Sequence, residues 1–340
     1  MHPAPLDELD LRLVNALQIA PRVSWSEAGR ILGVGPQVLA ARWERLVAGG
    51  AAWVTVHPGG TYRHQVTALV EVDCRPGAQR DVVGQLCADP RVVTVEESTQ
   101  GYDLLLTVMT ADMPHMSQFV VNELGEMSGV ASRRTYLATA VHRDGSSWRL
   151  DALDNSQVRE LENVARRSHS STVTTPPPNA WPIIRELSSD GRRTAADIAT
   201  RIGRNPATVR RQLPRLLASG TLSIRCEVAQ SAARRPISCT WRARVRPADR
   251  TRTVAALHTL PNLRLCMSTT GEANLLITAW AVDLARVLEI EQDLGDKLPW
   301  LALRDSGINL RTAKRVGWLL DENGYATGKL ITPSALQPTP

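Results

Sequence analysis

Aromatic side chains are scarce in this chain: they make up 4% of its 340 residues, with a single Phe, Phe119. Its cores must be built mainly from aliphatic side chains, which a hydrophobic content of 43% allows. No apolar run approaches the ~18–20 residues needed to span a bilayer. The start, "MHPAPLDELDLRLVNAL", has acids where a secretory signal carries basic residues and an unbroken apolar stretch. A soluble, cytoplasmic protein without membrane contact is expected. The five cysteines are an odd number and form no CxxC pair, which argues against a disulfide framework or a zinc site. They are expected to be reduced, mostly buried thiols. The seven histidines show no metal-ligand spacing, and there is no P-loop, nucleophile elbow or paired-carboxylate constellation. No catalytic residue, metal or cofactor is therefore assigned, and the chain reads as a non-enzyme.

Lysine is nearly missing as well, with only Lys297, Lys314 and Lys329; arginine carries almost all the positive charge. The formal net charge of +6 is divided unevenly. Residues 1–150 hold 13 Arg against 16 acids, whereas residues 151–340 hold 27 Lys and Arg against 18 acids. That asymmetry predicts an anionic partner for part of the second half.

The length favours two or more domains, and the chain repeats itself. Sliding it by 170 residues brings Ala20–Gly50 onto Asp190–Gly220 without a gap, with Gly33 on Gly203, Pro36 on Pro206, Arg45 on Arg215 and Gly50 on Gly220. The same slide sets Gly101 on Gly271. A constant offset over such a distance indicates duplication of a whole two-domain unit.

Each unit opens with helical periodicity. Leu6, Leu9, Leu13 and Leu17 recur at helix spacing, Ser24 and Glu27 suit a capping box, and Pro36 suits the first turn of a third helix that stops at Gly49 and Gly50. Thr194 and Asn205 are the corresponding N-caps in the second copy. Three helices with a tight turn between the second and third make a helix-turn-helix, and the strands "AAWVTV" and "TLSIRCEV" that follow suit wings. The remainder of each unit reads strand, helix, strand, strand, helix, strand, the ferredoxin-like βαββαβ order. One face of such a sheet is covered by its helices; Leu104, Leu106, Leu275 and Ile277 are expected to face a partner sheet. Between the copies, Asp154 and Gln157 can start a short helix before the linker "SHSSTVTTPPP".

This ordered combination, carried by "LDELDLRLVNALQ…RVSWSEAGRILGVGP…RWERLVAGG" and the turns "GYDLLL" and "GEANLLI", resembles the Lrp/AsnC family of bacterial transcriptional regulators, here as a tandem fusion of two family units. The resemblance implies an α+β fold with two copies of a winged helix-turn-helix domain followed by a ferredoxin-like effector domain of RAM type. The expected segments are 1–58 and 179–228 for DNA binding, 62–143 and 236–320 for effector domains, 144–178 for a linker with a short helix, and 321–340 for a loose tail. It further implies effector domains that pair by their sheets, with self-association to a homodimer or higher. A small effector, commonly an amino acid, is implied near the glycine turns at Gly101, Tyr102 and Asp103 and at Gly271, Glu272 and Asn274. Asn274 cannot act as a carboxylate, which leaves Glu272 as the acid of that turn.

In a helix-turn-helix the third helix enters the major groove of double-stranded DNA, where Arg suits guanine and Gln or Asn suits adenine. The contacts expected are Gln37, Arg42 and Arg45 in the first copy and Arg204, Asn205, Thr208, Arg210, Arg211 and Arg215 in the second. Arg210 and Arg211 replace Ala40 and Ala41 of the first copy, and residues 181–226 carry nine Arg against three acids while residues 6–56 carry five of each. The second module is therefore expected to supply most of the affinity. Pro214 falls inside its third helix, where a kink is expected. Two other readings exist. Siroheme decarboxylases resemble the same family in fold, and Tyr62, Arg63, His64, Arg234 and Arg235 are basic and aromatic residues that could meet a polycarboxylate tetrapyrrole. Alternatively, the neutral first module binds protein through Trp43 and Trp53, although Trp43 at helical spacing from Leu39 and Leu46 reads as core.

Overall fold

The structure, a computed structural model, describes residues 6–58, 65–167, 179–220, 222–260 and 262–336. Tyr62, Arg63 and His64 lie outside them. The chain divides into two compact units. One gathers both helix-turn-helix modules (Met1–Arg63, Arg149–Ala233 and Tyr325–Pro340); the other gathers both βαββαβ repeats (His64–Trp148 and Arg234–Gly324).

In the first unit, α1 (Glu8–Ile19), α2 (Trp25–Leu32) and α3 (Pro36–Ala48) form one module, followed by strand β1 (Ala52–Pro58). The α2–α3 turn needs left-handed backbone, and Gly33 (φ 70°) supplies it, as Gly203 (φ 64°) does in the second copy. Ser24 accepts from the Glu27 amide as expected, but the reciprocal capping box forms at Asp7 and Asp10 instead.

The expectation of two wings is corrected. Strand β1 pairs antiparallel with β6 (Leu222–Val228), its counterpart after the second module, with Ala52 opposite Val228 and Pro58 opposite Leu222. Each lone strand satisfies its backbone groups on the other copy. The exchange extends to packing: Val56 of β1 lies in the core of the second module with Ile183, Ile184 and Leu187. Reciprocal arginines bolt the two modules together. Arg22 donates to the carbonyls of Gly191 and Arg193, and Arg192 donates to those of Pro21 (2.6 Å) and Val23 (2.8 Å). Burial lowers both guanidinium pKa values, that of Arg192 to about 10 with Arg22 as a further cause.

The linker helix lies in this unit too. Asp154 caps α7 (Asn155–Arg167), which lies against the first module through Arg30–Glu160 (2.8 Å) and Gln157 to the Ile31 carbonyl (3.2 Å). The second module comprises α8 (Trp181–Ser189), α9 (Ala195–Ile202) and α10 (Pro206–Ala218). The expectation of a loose tail is corrected as well for its described residues, 321–336. Ala326 donates to the Gly50 carbonyl at 2.9 Å, and Leu336, 1% exposed, completes the core of the second module. The buried apolar surface of Tyr325, Ala335 and Leu336 accounts for its order.

The second unit contains β2 (Val66–Cys74), α4 (Gln79–Ala88), β3 (Val92–Ser98), β4 (Leu104–Thr110), α5 (Met113–Ser117) running through a π-helical turn (Gln118–Glu123) into α6 (Leu124–Glu126), and β5 (Val130–Arg143). The second repeat has β7 (Ile237–Arg244), α11 (Arg250–Leu257), β8 (Leu263–Thr269), β9 (Leu275–Ala281), α12 (Leu284–Lys297) and β10 (Ala302–Arg315), with β11 (Trp318–Leu320) paired onto β10. Each repeat keeps the ferredoxin-like strand order, but the two are not separate sheets. The order runs β10-β3-β4-β2-β5-β8-β9-β7, and β7 pairs again with β10, closing an eight-stranded antiparallel barrel. Closure depends on the two 14-residue strands. β5 pairs with β2 through Leu137 and with β8 from Ala138; β10 pairs with β7 through Asn309 and with β3 from there on. The sheet pairing expected between chains is thus made within one.

The face assignment is corrected by one residue. Leu104 and Leu106 pack outward against α4 and the α5–α6 segment, and Leu275 and Ile277 pack against α11 and α12. Their neighbours Leu105 and Leu276 fill the barrel interior with Leu69, Tyr102 and Met267. In unbroken apolar runs such as "LLL" and "LLI" alternation carries no signal, so the register is not legible from the run itself. The repeat offset also grows from 170 in the helical modules to 171 in the barrel, where Leu104 opens β4 as Leu275 opens β9.

Candidate nucleic-acid interface and effector turns

The two third helices have the same length and framework but different electrostatics. In α3, Gln37 is exposed. Arg42 donates to Asp7 (2.6 Å) and Asp10 (2.8 Å), and Arg45 donates to both oxygens of Asp10 (2.7 and 2.8 Å). Asp10 is 2% exposed. The hydrogen bond from Arg42 holds the Asp7 carboxyl below the usual carboxylate range, and Asp7 and Asp10 in turn raise Arg42. Two of the three contacts expected in the first module are therefore staples between α3 and the start of α1.

In α10 these acids have no counterpart: positions 177 and 180 are Pro and Ala. Arg210, Arg211 and Arg215 are exposed, and none has an ion pair with a described residue. Val209, Leu213 and Leu216 form the buried stripe. Thr208, Arg211 and Arg215, spaced i, i+3 and i+7, lie on the face turned away from it, and Arg210 flanks them. Asn205 is occupied by capping: its Oδ1 accepts from the Ala207 amide at 2.8 Å. Arg204 donates to the Asn179 carbonyl at 2.7 Å. Pro214 does not end the helix: α10 runs through it from Pro206 to Ala218. The lost amide leaves the carbonyl of residue 210 without its helical donor at an exposed position, and packing of the stripe holds the helix together. Trp43 and Trp53 are buried, at 7% and 2% exposure, and belong to cores rather than to an exposed anchor.

At the first glycine turn Tyr102 is buried in the barrel, which raises its phenol pKa, and it donates to Gln100. Asp103 Oδ2 accepts from the Cys74 amide at 2.6 Å. In the second turn Asn274 makes the equivalent bond, its Oδ1 accepting from the Val245 amide at 2.9 Å while its Nδ2 donates to the Val245 carbonyl. Asp103 and Asn274 thus hold the same strand end in each repeat. Gly271 (φ 106°) faces the Tyr136 ring, and the Glu272 side chain is exposed while its carbonyl accepts from Arg244 at 2.5 Å. Arg134 donates to the Gly101 carbonyl at 3.1 Å. Sequence reasoning missed the polar rung behind these turns, Glu71 with Arg134, Tyr136 and Arg242.

The five cysteines are free thiols, and burial raises Cys239 and Cys266 to about 12 and Cys74 to about 11. Among the described residues no His, Cys, Asp and Glu group is suited to a metal, and no helix is long and apolar enough to cross a membrane. Arg235 donates to Asn262 at 2.9 Å.

The described fold thus comprises two helix-turn-helix modules and a closed barrel of two βαββαβ repeats. Residues 6–47 match the AsnC-type helix-turn-helix domain, residues 67–148 the Lrp/AsnC ligand binding domain, and residues 182–222 a winged helix-turn-helix DNA-binding domain. With that order of domains, the first half of the chain, residues 6–148, matches the Lrp/AsnC family of transcriptional regulators. An uncharacterised HTH-type transcriptional regulator of Pyrococcus furiosus, PF1231, is 29% identical over 41% of this chain and 96% of its own length. The HTH-type transcriptional regulator FL11 of the same organism is 23% identical over 41% of the chain and 93% of its own. A solved structure of the siroheme decarboxylase NirDL, in complex with an iron-uroporphyrin III analogue, covers 95% of this chain and 96% of that one with a TM-score of 0.55 at 15% identity. At that identity the likeness is one of fold.

Proposed function

We propose that the chain is a sequence-specific DNA-binding regulator of Lrp/AsnC type in which α10 of the second module is the principal reader. The observation that carries this is the outward face of α10, with Arg210, Arg211 and Arg215 exposed and without an ion pair to any described residue. Arg204 and Asn205 border that reader; Asn205 sets its first turn. Gln37 contributes discrimination from the first module, while Arg42 and Arg45 maintain its shape. Because the two readers differ and are joined through β1 and β6, the preferred site is asymmetric, unlike the palindrome that suits identical readers. A small effector, an amino acid in the reading favoured here, acts at the glycine turns, with Glu272 and the free oxygen of Asp103 as acids for an ammonium group. The test is a gel shift of the full chain on the DNA upstream of its own gene, against scrambled competitor, beside Arg210→Ala/Arg211→Ala. Specific binding lost in the double variant supports the reading; specific binding unchanged moves the reader to Gln37.

A second reading, a siroheme decarboxylase-like enzyme, draws on one observation: the likeness to NirDL extends over 95% of the chain, whereas the named regulators align with 41%. Its test is the absorbance spectrum of the purified protein after incubation with an iron porphyrin carboxylate. A stoichiometric Soret band together with no DNA binding would favour the enzyme.

A further inference from the structure

The two barrel repeats are related by 171 residues, so equivalent positions can be compared across the pseudo-twofold. Glu71 of β2 stands opposite Leu105 and Arg134; its equivalent, Arg242 of β7, stands opposite Leu276 and Asp305. The charges of both positions are inverted. Glu71 carries the acid and Arg134 the base in the first repeat; Arg242 carries the base and Asp305 the acid in the second. The inversion is used, because Glu71 and Arg242, equivalent by repeat, form an ion pair with each other. Their side chains are 4% and 12% exposed. Arg134 Nε reaches Glu71 at 2.8 Å, the Tyr136 hydroxyl donates to it at 3.3 Å, and the Arg242 guanidinium lies 4.2 Å from the centre of the Tyr136 ring.

Size is inverted alongside charge. Tyr136 faces Gly271, where a Cβ would stand 3.0 Å from the ring. The equivalent contact is Gly307 facing Gln100, where a Cβ would overlap the Gln100 side chain. Thus Tyr136 is replaced by Gly307, and Gln100 by Gly271. Had the barrel been formed by two first repeats, two buried Glu71 carboxylates would meet and Tyr136 would collide with Gln100. Had it been formed by two second repeats, Arg242 would meet Arg242 and Gly307 would face Gly271 with neither side chain to fill the contact. Burial of like charges costs far more than burial of an opposite pair, and overlapping side chains force the strands to shift.

We propose that this charge and size inversion is a pairing code: a first repeat closes a barrel only with a second repeat, and like repeats are excluded. The partner that fits the first repeat's inner sheet is therefore the second repeat, from the same chain or from another copy. Repeats of uniform type, such as those of single-unit relatives, do not exchange into the barrel. The code fixes the asymmetry of the molecule independently of what either helix-turn-helix binds.

The test exchanges rungs in the full chain and follows thermal unfolding and soluble yield. Glu71→Arg/Arg134→Asp makes both rungs second-like, and Arg242→Glu/Asp305→Arg makes both first-like. Each is expected to lower the melting temperature by roughly 10 °C or more, or to abolish soluble yield. All four substitutions together restore unlike rungs and are expected to recover most of the loss. A fourfold variant no better than the worse of the two pairs overturns the code. Size is tested separately: Gly307→Tyr is expected to destabilise and Gly307→Tyr/Gln100→Gly to recover, and equal damage in both contradicts it.

Discussion

The third helices of the two helix-turn-helix modules differ less in fold than in what their arginines are doing. Both start at a proline, both follow a left-handed glycine and both run 13 residues. In α3 the arginines are bound to Asp7 and Asp10; in α10 they are exposed. The same residue type is structural in one copy and available for an anion in the other, and the difference lies some 30 residues upstream, where one copy has two aspartates and the other has Pro and Ala. Counting arginines per helix is therefore a poor measure of DNA-binding capacity; counting those without an acid is better.

Removing the exposed arginines of α10 has the largest expected effect. Arg210→Ala/Arg211→Ala/Arg215→Ala is expected to cost about 100-fold or more in DNA affinity, taking about 1–3 kcal/mol for each arginine that reads a base. Arg42→Ala/Arg45→Ala should change affinity little and lower the melting temperature instead. Fluorescence anisotropy and calorimetry on the same preparations separate the two effects. Asp10→Ala sharpens the contrast from the other side. It frees Arg45 and leaves Arg42 only its bond to Asp7, so nonspecific DNA affinity should rise, while stability falls by about 1–3 kcal/mol, discounted because Arg45 is largely exposed. Urea titration beside a nonspecific-DNA titration checks both signs.

Smaller effects follow at the helix start and in the barrel. Asn205→Ala removes the cap of α10 and should cost about 1 kcal/mol, with Asn205→Asp retaining most of it. Lys314 is fully buried with its ammonium donating to the Asp89 carbonyl, and desolvation lowers its pKa to about 8. A base whose folded pKa lies below its unfolded one penalises the fold at low pH and ceases to do so as pH rises. The penalty is complete below about pH 8 and is relieved between about 8 and the unfolded value near 10.5. Stability should therefore gain a contribution across that window that is absent in Lys314→Met, as read by denaturant midpoints at matched ionic strength.

Much of the architecture is legible because local signals agree with the fold. The caps at Ser24, Thr194 and Asn205 and the turn at Gly33 mark the helical modules, and the strand–helix order marks the repeats. What is not legible depends on pairing across the chain. Lone strands β1 and β6 look like wings until each is seen to need the other. Runs such as "DLLLTVMT" hide which residue faces inward, so the run alone puts Leu104 in the place held by Leu105. The Arg42–Asp10 staple has a faint signal in the matched i, i+3 spacings of Asp7 with Asp10 and of Arg42 with Arg45, oppositely charged on two helices of one module. The barrel rung is hidden by the change of offset, since a slide of 170 sets Glu71 against Trp241, and only the slide of 171 brings it to Arg242.

The most direct test is the salt dependence of DNA affinity for the wild type, Arg210→Ala/Arg211→Ala/Arg215→Ala and Arg42→Ala/Arg45→Ala on one duplex. Each phosphate contact adds about −0.9 to the slope of log affinity against log salt. The α10 variant is expected to flatten that slope by about one to three contacts, while the α3 variant leaves it unchanged. Equal flattening by both, or flattening by the α3 variant alone, would contradict the division of labour between the two modules.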